Sequence, residues 1–153
     1  VDSPAPLGFR LRVGTQNPAV ATASGRVLIA YQPPPMKAWI YAEIERLMPG
    51  SGAANLERRI SAIAERGYEM IAGEGLQGII DVSFPLLDAE SCALGVLTMP
   101  YLSSAKERVS FEAACRAQFK AADAITHALG GRLVQPAFPL APIRQKRPPA
   151  RPL

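Results

Sequence analysis

The chain has 153 residues, of which 48% are hydrophobic and 20% are charged, a composition typical of one globular domain and not of a disordered chain. It lacks a run of about 20 apolar residues, which excludes a membrane-spanning helix, and its first residues lack the basic and then apolar pattern of a secretion signal. The net charge of +4 comes from the end of the chain, because residues 1–131 carry 12 basic and 13 acidic groups, which argues against a nucleic-acid-binding body.

The two cysteines bear on the cellular compartment of the protein. The first residue bears on whether the sequence is a fragment. Cys92 and Cys115 form no C-x-x-C pair, which is typical of unbridged thiols in a reducing compartment, so we expect a cytoplasmic protein. The chain begins with Val1, and a strand-like pattern follows almost at once. This indicates a fragment of a longer protein.

The first third of the chain predicts one strand and two helices. Alternating apolar residues over Phe9–Val13 predict a half-buried strand. Asn17 and Pro18 begin a helix, and the prolines at 33–35 end it and open the next one. The second helix carries apolar residues on one face: Met36, Ile40, Ile44 and Leu47. The single tryptophan, Trp39, could pack in the core, line the rim of a pocket or lie in a subunit contact, and the core is the default.

The middle of the chain predicts a third helix and three strands. Helical spacing recurs from Leu56 to Ala64, and Gly67 follows as the residue after the helix end. The segment 68–72 predicts a short strand. Segments 78–88 and 92–102 predict a hairpin, in which Pro85 needs an edge position or a bulge because it has no amide donor.

A long helix closes the domain and ends at Gly130 and Gly131. Its apolar face contains Phe111, Ala114, Cys115, Ala122, Ile125 and Leu129. Central strands with helices outside predict an α/β (α+β) fold, a central antiparallel sheet flanked by helices. Residues 132–153 form a basic, proline-rich C-terminal tail, which we expect to be extended and without a core of its own.

Residues 73–78, GEGLQG, match the G-x-G-x-x-G string of dinucleotide-binding proteins. That fingerprint requires a helix at the third glycine, whose free amides face the pyrophosphate. Here a strand pattern follows Gly78. We therefore predict a turn and no nucleotide cofactor.

Several segments, in this order, resemble the C-terminal effector-binding domain of the IclR family of bacterial transcriptional regulators. The segment 22–30 is similar to the family's T-A-x-G-[KR]-x-x-L-A helix and 63–68 to its I-R-x-R-G-Y. The other matching positions are Glu74, Gly78, Pro85–Asp88 (P-[IV]-[FL]-D) and Leu129–Gly131. The resemblance extends from about Gly14 to Gly131.

The resemblance implies a GAF-like effector-binding domain over residues 1–131, truncated at its N-terminus, with a pocket for a small organic effector on one side of the sheet. It also implies a homo-oligomer, dimer or tetramer. DNA binding would belong to a winged helix-turn-helix domain that is missing here. The family's pocket positions correspond to Ala23, Ser24, Gly25, Ile71, Ile79, Asp81, Thr98 and Pro100. Asp81 and Pro100 depart from the small or polar residues common in the family.

The alternation along the central strand adds Ser83 to these positions. Ile80, Val82, Phe84 and Leu86 point to one face, which must pack on helices. Ile79, Asp81 and Ser83 point to the other. An ionised Asp81 favours a ligand with hydroxyl, amine or amide donors and disfavours a carboxylate, unless Arg26 or another cation intervenes.

We carry two further hypotheses, an oligomerisation module whose pocket is filled by side chains and a small enzyme that uses Asp81. Ser83, Asp81 and His127 would make a triad, but no G-x-S-x-G elbow is present. His127 is the only histidine and has neither a second ligand four residues after it nor a neighbouring cysteine, so no metal site is predicted. We therefore expect a non-enzymatic sensing domain.

Overall fold

The computed structural model describes residues 14, 17–47, 49, 53–72, 78–102 and 109–143. The predicted strand over Phe9–Val13, Glu74 and most of the GEGLQG segment lie outside these residues. The elements in chain order are a 3₁₀ turn (Ala19–Ala21), α1 (Ala23–Ala30), α2 (Pro34–Leu47), α3 (Ala53–Arg66), β1 (Glu69–Ala72), β2 (Ile79–Leu87), β3 (Ala93–Leu102) and α4 (Phe111–Ala128).

The three strands form one antiparallel sheet in the order β1-β2-β3. Strands β2 and β3 are the predicted hairpin, and Gly78, with φ of +85°, leads directly into β2. A strand and not a helix therefore follows the third glycine of GEGLQG, as the sequence predicts. The predicted α+β fold, an antiparallel sheet with flanking helices, is confirmed.

One face of the sheet, which we call the α4 face, packs against α4. Val82 and Phe84 are completely buried there, and Ile80 and Leu86 pack against the same cluster. The helix contributes Cys115, Phe119 and Ala122. The prediction that these four strand residues pack on a helix is confirmed, because alternate residues of a strand share a face.

The opposite face, which we call the α1 face, packs against α1 and, beyond it, α3. Its core contains Val27, Ile29 and Ala30 of α1 with Ile60 and Ile63 of α3, and Val96 of β3 packs against them. Gly67 follows α3 with φ of +86°, the conformation predicted for a residue after a helix end.

Pro85 occupies an edge position, as predicted. The pairing of β1 with β2 ends at the Glu69–Ser83 pair, so in the described part of the chain only β3 pairs with the segment of β2 around Pro85. A register shift lies between Leu86 and Leu87. The missing amide of Pro85 therefore leaves no ladder position unfilled.

The first predicted helix is wrong in its first turn. Residues 19–21 form a 3₁₀ turn, and α1 begins only after Thr22, whose hydroxyl accepts a hydrogen bond from the Gly25 amide at 3.1 Å. Threonine is a favoured N-cap because its side chain satisfies one of the free amides of the first helical turn. The cap, and not Pro18, sets the start of the α-helix.

The burial predicted for two helices is also wrong in part. None of the residues of α2 is buried, and Trp39 is 63% exposed. On α4, Ile125 and Leu129 are exposed, whereas the polar Gln118 and Thr126 are buried. The polar residues face the sheet because they bond its backbone: Nε2 of Gln118 donates to the carbonyls of Val82 and Leu97 at 2.9 Å each, and Oγ1 of Thr126 accepts from the Leu87 amide.

Residues 132–143, which we call the C-terminal strap, contain no helix or strand and pack on the core. Leu140 is buried in the cluster on the α4 face, and Ile143 packs against the cluster on the α1 face. The Tyr68 hydroxyl accepts from the Ala141 amide at 3.1 Å. The described part of the predicted tail thus has no core of its own but completes that of the domain. The boundary at residue 131 stays a prediction.

None of the helices in the described ranges combines the length and the apolar character needed to cross a membrane.

Candidate functional site

Two adjacent cross-strand rows on the α1 face contain most of the predicted site residues. The first row is Glu69, Ser83 and Thr98, and the second is Ile71, Asp81 and Pro100. Facing residues of antiparallel strands lie on the same side of a sheet, and the rows are two residues apart, about 7 Å along each strand. Ile79 lies two residues before Asp81 on the same face of β2, opposite Leu102.

Ser83 and Thr98 form a hydroxyl pair. Oγ of Ser83 lies 2.9 Å from Oγ1 of Thr98, and Ser83 is completely buried, whereas Thr98 is exposed at the edge strand β3. The bond satisfies the buried hydroxyl. Thr98 keeps further hydrogen-bonding capacity for a group outside the sheet.

Asp81 lies half-buried in the second row. Burial raises the pKa of its carboxyl group above the ordinary value of 3.8, and no hydrogen bond or cation in the described part of the chain counters that effect. Its cross-strand neighbours offer no side-chain donor, because Ile71 is apolar and Pro100 lacks even an amide hydrogen. The carboxylate is therefore free to bind a donor from outside the domain.

Glu69, in the first row, is a buried charge that sequence reasoning missed. Its side chain is completely buried, and Oε2 lies 2.7 Å from Nε of Arg59 on α3 and 3.9 Å from a guanidinium nitrogen of Arg26 on α1. Oε1 accepts from the Met70 amide at 2.8 Å. One signal was available: Glu69 is two residues before Ile71 in the same strand, so both side chains point to the same face.

The start of α1 is joined to the first row through Arg26. Nε of Arg26 donates to the Val20 carbonyl at 2.7 Å, while the same guanidinium reaches Glu69. Of the predicted site residues in this turn, Ala23 is buried and Oγ of Ser24 donates to Oγ1 of Thr22 at 3.4 Å. The first turn of α1 is therefore held against the face that carries Asp81.

Gly25 has a packing role in addition to its predicted site role. A Cβ atom at this position would lie 2.1 Å from the carbonyl oxygen of Ala19, far inside van der Waals contact. The missing side chain allows the 3₁₀ turn to fold back on α1.

The β3 side of the α1 face is accessible, since Thr98, Pro100 and Leu102 are exposed. On the same face, the half-buried Asp81 carboxylate and Ile79 lie next to the buried side chains of Ile71 and Ser83. A few polar groups among apolar ones are what a small-molecule site requires.

The structure does not assemble the triad considered from the sequence. His127 is exposed on α4, which packs on the opposite face of the sheet from Asp81 and Ser83. Among the described residues there is also no group of three or more His, Cys, Asp or Glu side chains that could hold a metal ion.

Comparison with known protein families identifies the chain. Residues 1–127 match the family model described as bacterial transcriptional regulator IclR C-terminal. The chain belongs to this family. The match covers most of the domain described above, including both rows and all but the end of α4, and it confirms the resemblance found in the sequence.

Solved structures similar to this IclR-family chain are themselves transcriptional regulators. An IclR regulator from Alicyclobacillus acidocaldarius is 26% identical with a TM-score of 0.61, over 84% of this chain and 53% of that one. HmgR from Pseudomonas aeruginosa is 24% identical with a TM-score of 0.64, over 83% of this chain and 51% of that one. This chain thus spans about half the length of these two regulators.

A third similar structure is a double mutant of the inducer-binding domain of the PobR transcription factor from Acinetobacter, in complex with 3-hydroxybenzoic acid. It is 18% identical with a TM-score of 0.59, over 85% of this chain and 74% of that one. A likeness at this identity concerns the fold. No curated protein sequence matches the chain.

Proposed function

We propose that this IclR C-terminal domain senses a small organic effector on the α1 face of its sheet. The observation that carries the proposal is the half-buried Asp81 carboxylate beside the Ser83–Thr98 hydroxyl pair, on a face of the sheet whose β3 side is exposed. The proposed site includes Ala23, Ser24 and Gly25 of α1, with Ile71, Ile79 and Pro100 as its apolar part. The effector itself is the partner that satisfies Asp81.

The family and its relatives support this proposal. The fold is shared with an inducer-binding domain that was crystallised with a small aromatic acid. In the proposal the bound molecule is sensed and not converted, so that the chain is not an enzyme.

The output of sensing is a shift in the arrangement of subunits. Effector binding favours one of two arrangements of a homo-oligomer, and it does so only because its affinity for the two differs. The contacts from the site to the rest of the domain begin at Arg26 and Glu69, which join α1, β1 and α3. DNA is read by a separate helix-turn-helix domain outside this chain, whose spacing the subunit arrangement sets.

A second candidate function is that of an oligomerisation module without a ligand. Helix α2 favours it, because none of its residues is buried and it exposes Met36, Trp39 and Leu47 on 14 residues of helix. Exposed large apolar side chains in such density mark interaction surfaces. In this case the helix would hold subunits together whether or not the α1 face binds anything.

Thermal unfolding with a panel of organic acids, hydroxylated aromatics, sugars and amines separates the two functions. A compound at about 100 times its dissociation constant adds about 2.7 kcal/mol to the free energy of unfolding, or several degrees in Tm. We expect one compound class to stabilise the parent and to lose its effect in Asp81→Ala. Asp123→Ala, an exposed change on α4, is the matched control.

The oligomeric state is measured on the same samples by light scattering. If none of the compounds raises Tm and the oligomer is intact, the sensing proposal is wrong and the oligomerisation module replaces it. If a compound is chemically converted, the enzyme hypothesis returns.

A further inference from the structure

The charges on the α1 face select the chemical class of the effector, an inference that rests on the function proposed above. We propose that the effector is a small organic cation, a protonated amine on a compact apolar body, whose ammonium group binds the Asp81 carboxylate.

Two arginines that the structure describes beside the site, Arg26 and Arg59, are bound to Glu69. Both arginine side chains are about nine-tenths buried, at 10% exposure for Arg26 and 11% for Arg59, and both are directed to the same carboxylate oxygen of Glu69. Arg26 also donates to the Val20 carbonyl. A carboxylate effector would have to take an arginine from Glu69 and leave that buried acid with less compensation, which is costly.

The carboxylate of Asp81, in contrast to the two arginines, has no oppositely charged partner among the described residues. Among the residues that the structure describes, no side chain or amide donates to it, and burial alone shifts the pKa of its carboxyl group upward. A second carboxylate beside it would force one of the two acids to take up a proton. An ammonium group instead keeps Asp81 ionised and forms a charge-assisted hydrogen bond, one of the stronger kinds in proteins.

The side chains around Asp81 indicate which uncharged group the effector carries next to its amine. The buried Ile71 and the exposed Pro100 flank the carboxylate in its row, and the half-buried Ile79 precedes it along β2. These side chains suit an aromatic or short aliphatic group attached to the amine. The Thr98 hydroxyl, one row away, can bind a hydroxyl substituent of that group. The inferred class thus differs in charge from 3-hydroxybenzoic acid, the compound in the PobR complex.

The test uses matched compounds that share an aromatic ring and carry a cationic, a neutral or an anionic substituent. Benzylamine, benzyl alcohol and benzoate form one series, and 3-hydroxybenzylamine, 3-hydroxybenzyl alcohol and 3-hydroxybenzoate form the other. Their dissociation constants for the parent are measured by titration calorimetry, together with those for Asp81→Asn and the control Asp123→Asn.

We expect the amines to bind the parent at least about tenfold more tightly than the alcohols, which corresponds to about 1.4 kcal/mol, and the benzoates not to bind. In Asp81→Asn this preference for the amine disappears, while Asp123→Asn keeps it. Circular dichroism and Tm verify that Asp81→Asn is folded, which we expect because the change keeps the side-chain shape and removes a half-buried charge.

Three other outcomes overturn the inference. If the benzoates bind the parent and the amines do not, sensing survives and the charge assignment is wrong. If the amines bind equally well to Asp81→Asn, the cation is bound elsewhere. If neither series binds but another compound class of the wider panel raises Tm, the domain is a sensor for a different class of effector. Failure of the wider panel as well contradicts the proposed function itself.

Discussion

A carboxylate oxygen of Glu69 lies 2.7 Å from Nε of Arg59, an ion pair that connects the short strand β1 to helix α3. The glutamate is completely buried and the arginine side chain is 11% exposed. Arg26 of α1 approaches the same oxygen at 3.9 Å. Strand β1, helix α3 and helix α1 are therefore joined through one carboxylate.

We expect removal of the Glu69 carboxylate to lower the free energy of unfolding of the domain strongly. Glu69→Ala leaves two buried guanidinium groups without their shared acid, and breaking a buried pair costs about 3–5 kcal/mol. Urea denaturation measures the loss. Glu112→Ala is the matched control, because its pair with Arg116 on α4 has the same 2.7 Å distance but both side chains are about half exposed, and exposed pairs contribute about 0–1 kcal/mol. Equal losses in the two variants would contradict the role of burial.

Gly25→Ala tests the close contact at the start of α1. The added Cβ would lie 2.1 Å from the Ala19 carbonyl oxygen, and backbone must move to admit it. Overpacking of this kind costs about 1–3 kcal/mol, and we also expect weaker effector binding, because Gly25 is one of the predicted site positions. Gly95→Ala is the control, since its Cβ would meet only the Leu86 side chain at 3.5 Å, an ordinary contact. If Gly25→Ala has the same free energy of unfolding as Gly95→Ala, the 3₁₀ turn can move to accommodate the added Cβ without loss of stability.

Leu140→Ala tests whether the C-terminal strap belongs to the core. Leu140 is 7% exposed and lies in the cluster with Phe84 and Phe119, and truncation of a buried leucine costs about 2–5 kcal/mol. The same change at Leu94, which is 64% exposed, removes little buried surface, and we expect a loss below about 1 kcal/mol. The free energies of unfolding are compared in urea. A loss at Leu140 no larger than at Leu94 means that the strap is not required for stability.

The stability of the domain depends on pH through Asp81. Burial raises the pKa of this carboxyl group above 3.8 in the folded protein. Between pH 3.8 and the folded-state pKa, Asp81 is therefore mostly protonated in the folded protein and mostly ionised in the unfolded protein. Stability contributed by Asp81 is therefore highest at low pH and falls as pH rises from about 3.8 through the folded-state pKa. We expect the difference in Tm between Asp81→Asn and the parent to grow over this interval.

The measurement is Tm of both proteins across that pH range. A difference that stays constant with pH means that the pKa of Asp81 is the same in the folded and the unfolded protein. An amine bound to Asp81 would reduce the pH dependence, because it favours the ionised form.

Strands β1, β2 and β3, most helices and the division of β2 into two faces follow from the sequence by itself. Alternation over residues 79–86 specifies that Asp81 and Ser83 share a face, because successive strand residues point in opposite directions. The proline and glycine positions at 33–35, 67 and 130 mark helix boundaries for local steric reasons. A family resemblance carried by short motifs added the positions on β1, β3 and α1.

Only the tertiary structure decided which of these residues meet, and with what partners. The Glu69–Arg59 pair joins residues of different elements, and the bond between Tyr68 and Ala141 spans 73 positions. The apolar spacing of α2 is the same for a helix covered by a core and for one that is exposed, so periodicity could not reveal the exposure of Trp39. Likewise, Gln118 and Thr126 are buried because backbone groups of the sheet lie opposite them. Contacts between distant segments leave no local pattern in the chain, whereas backbone conformation does, and this is why the sequence predicted the elements but not their partners.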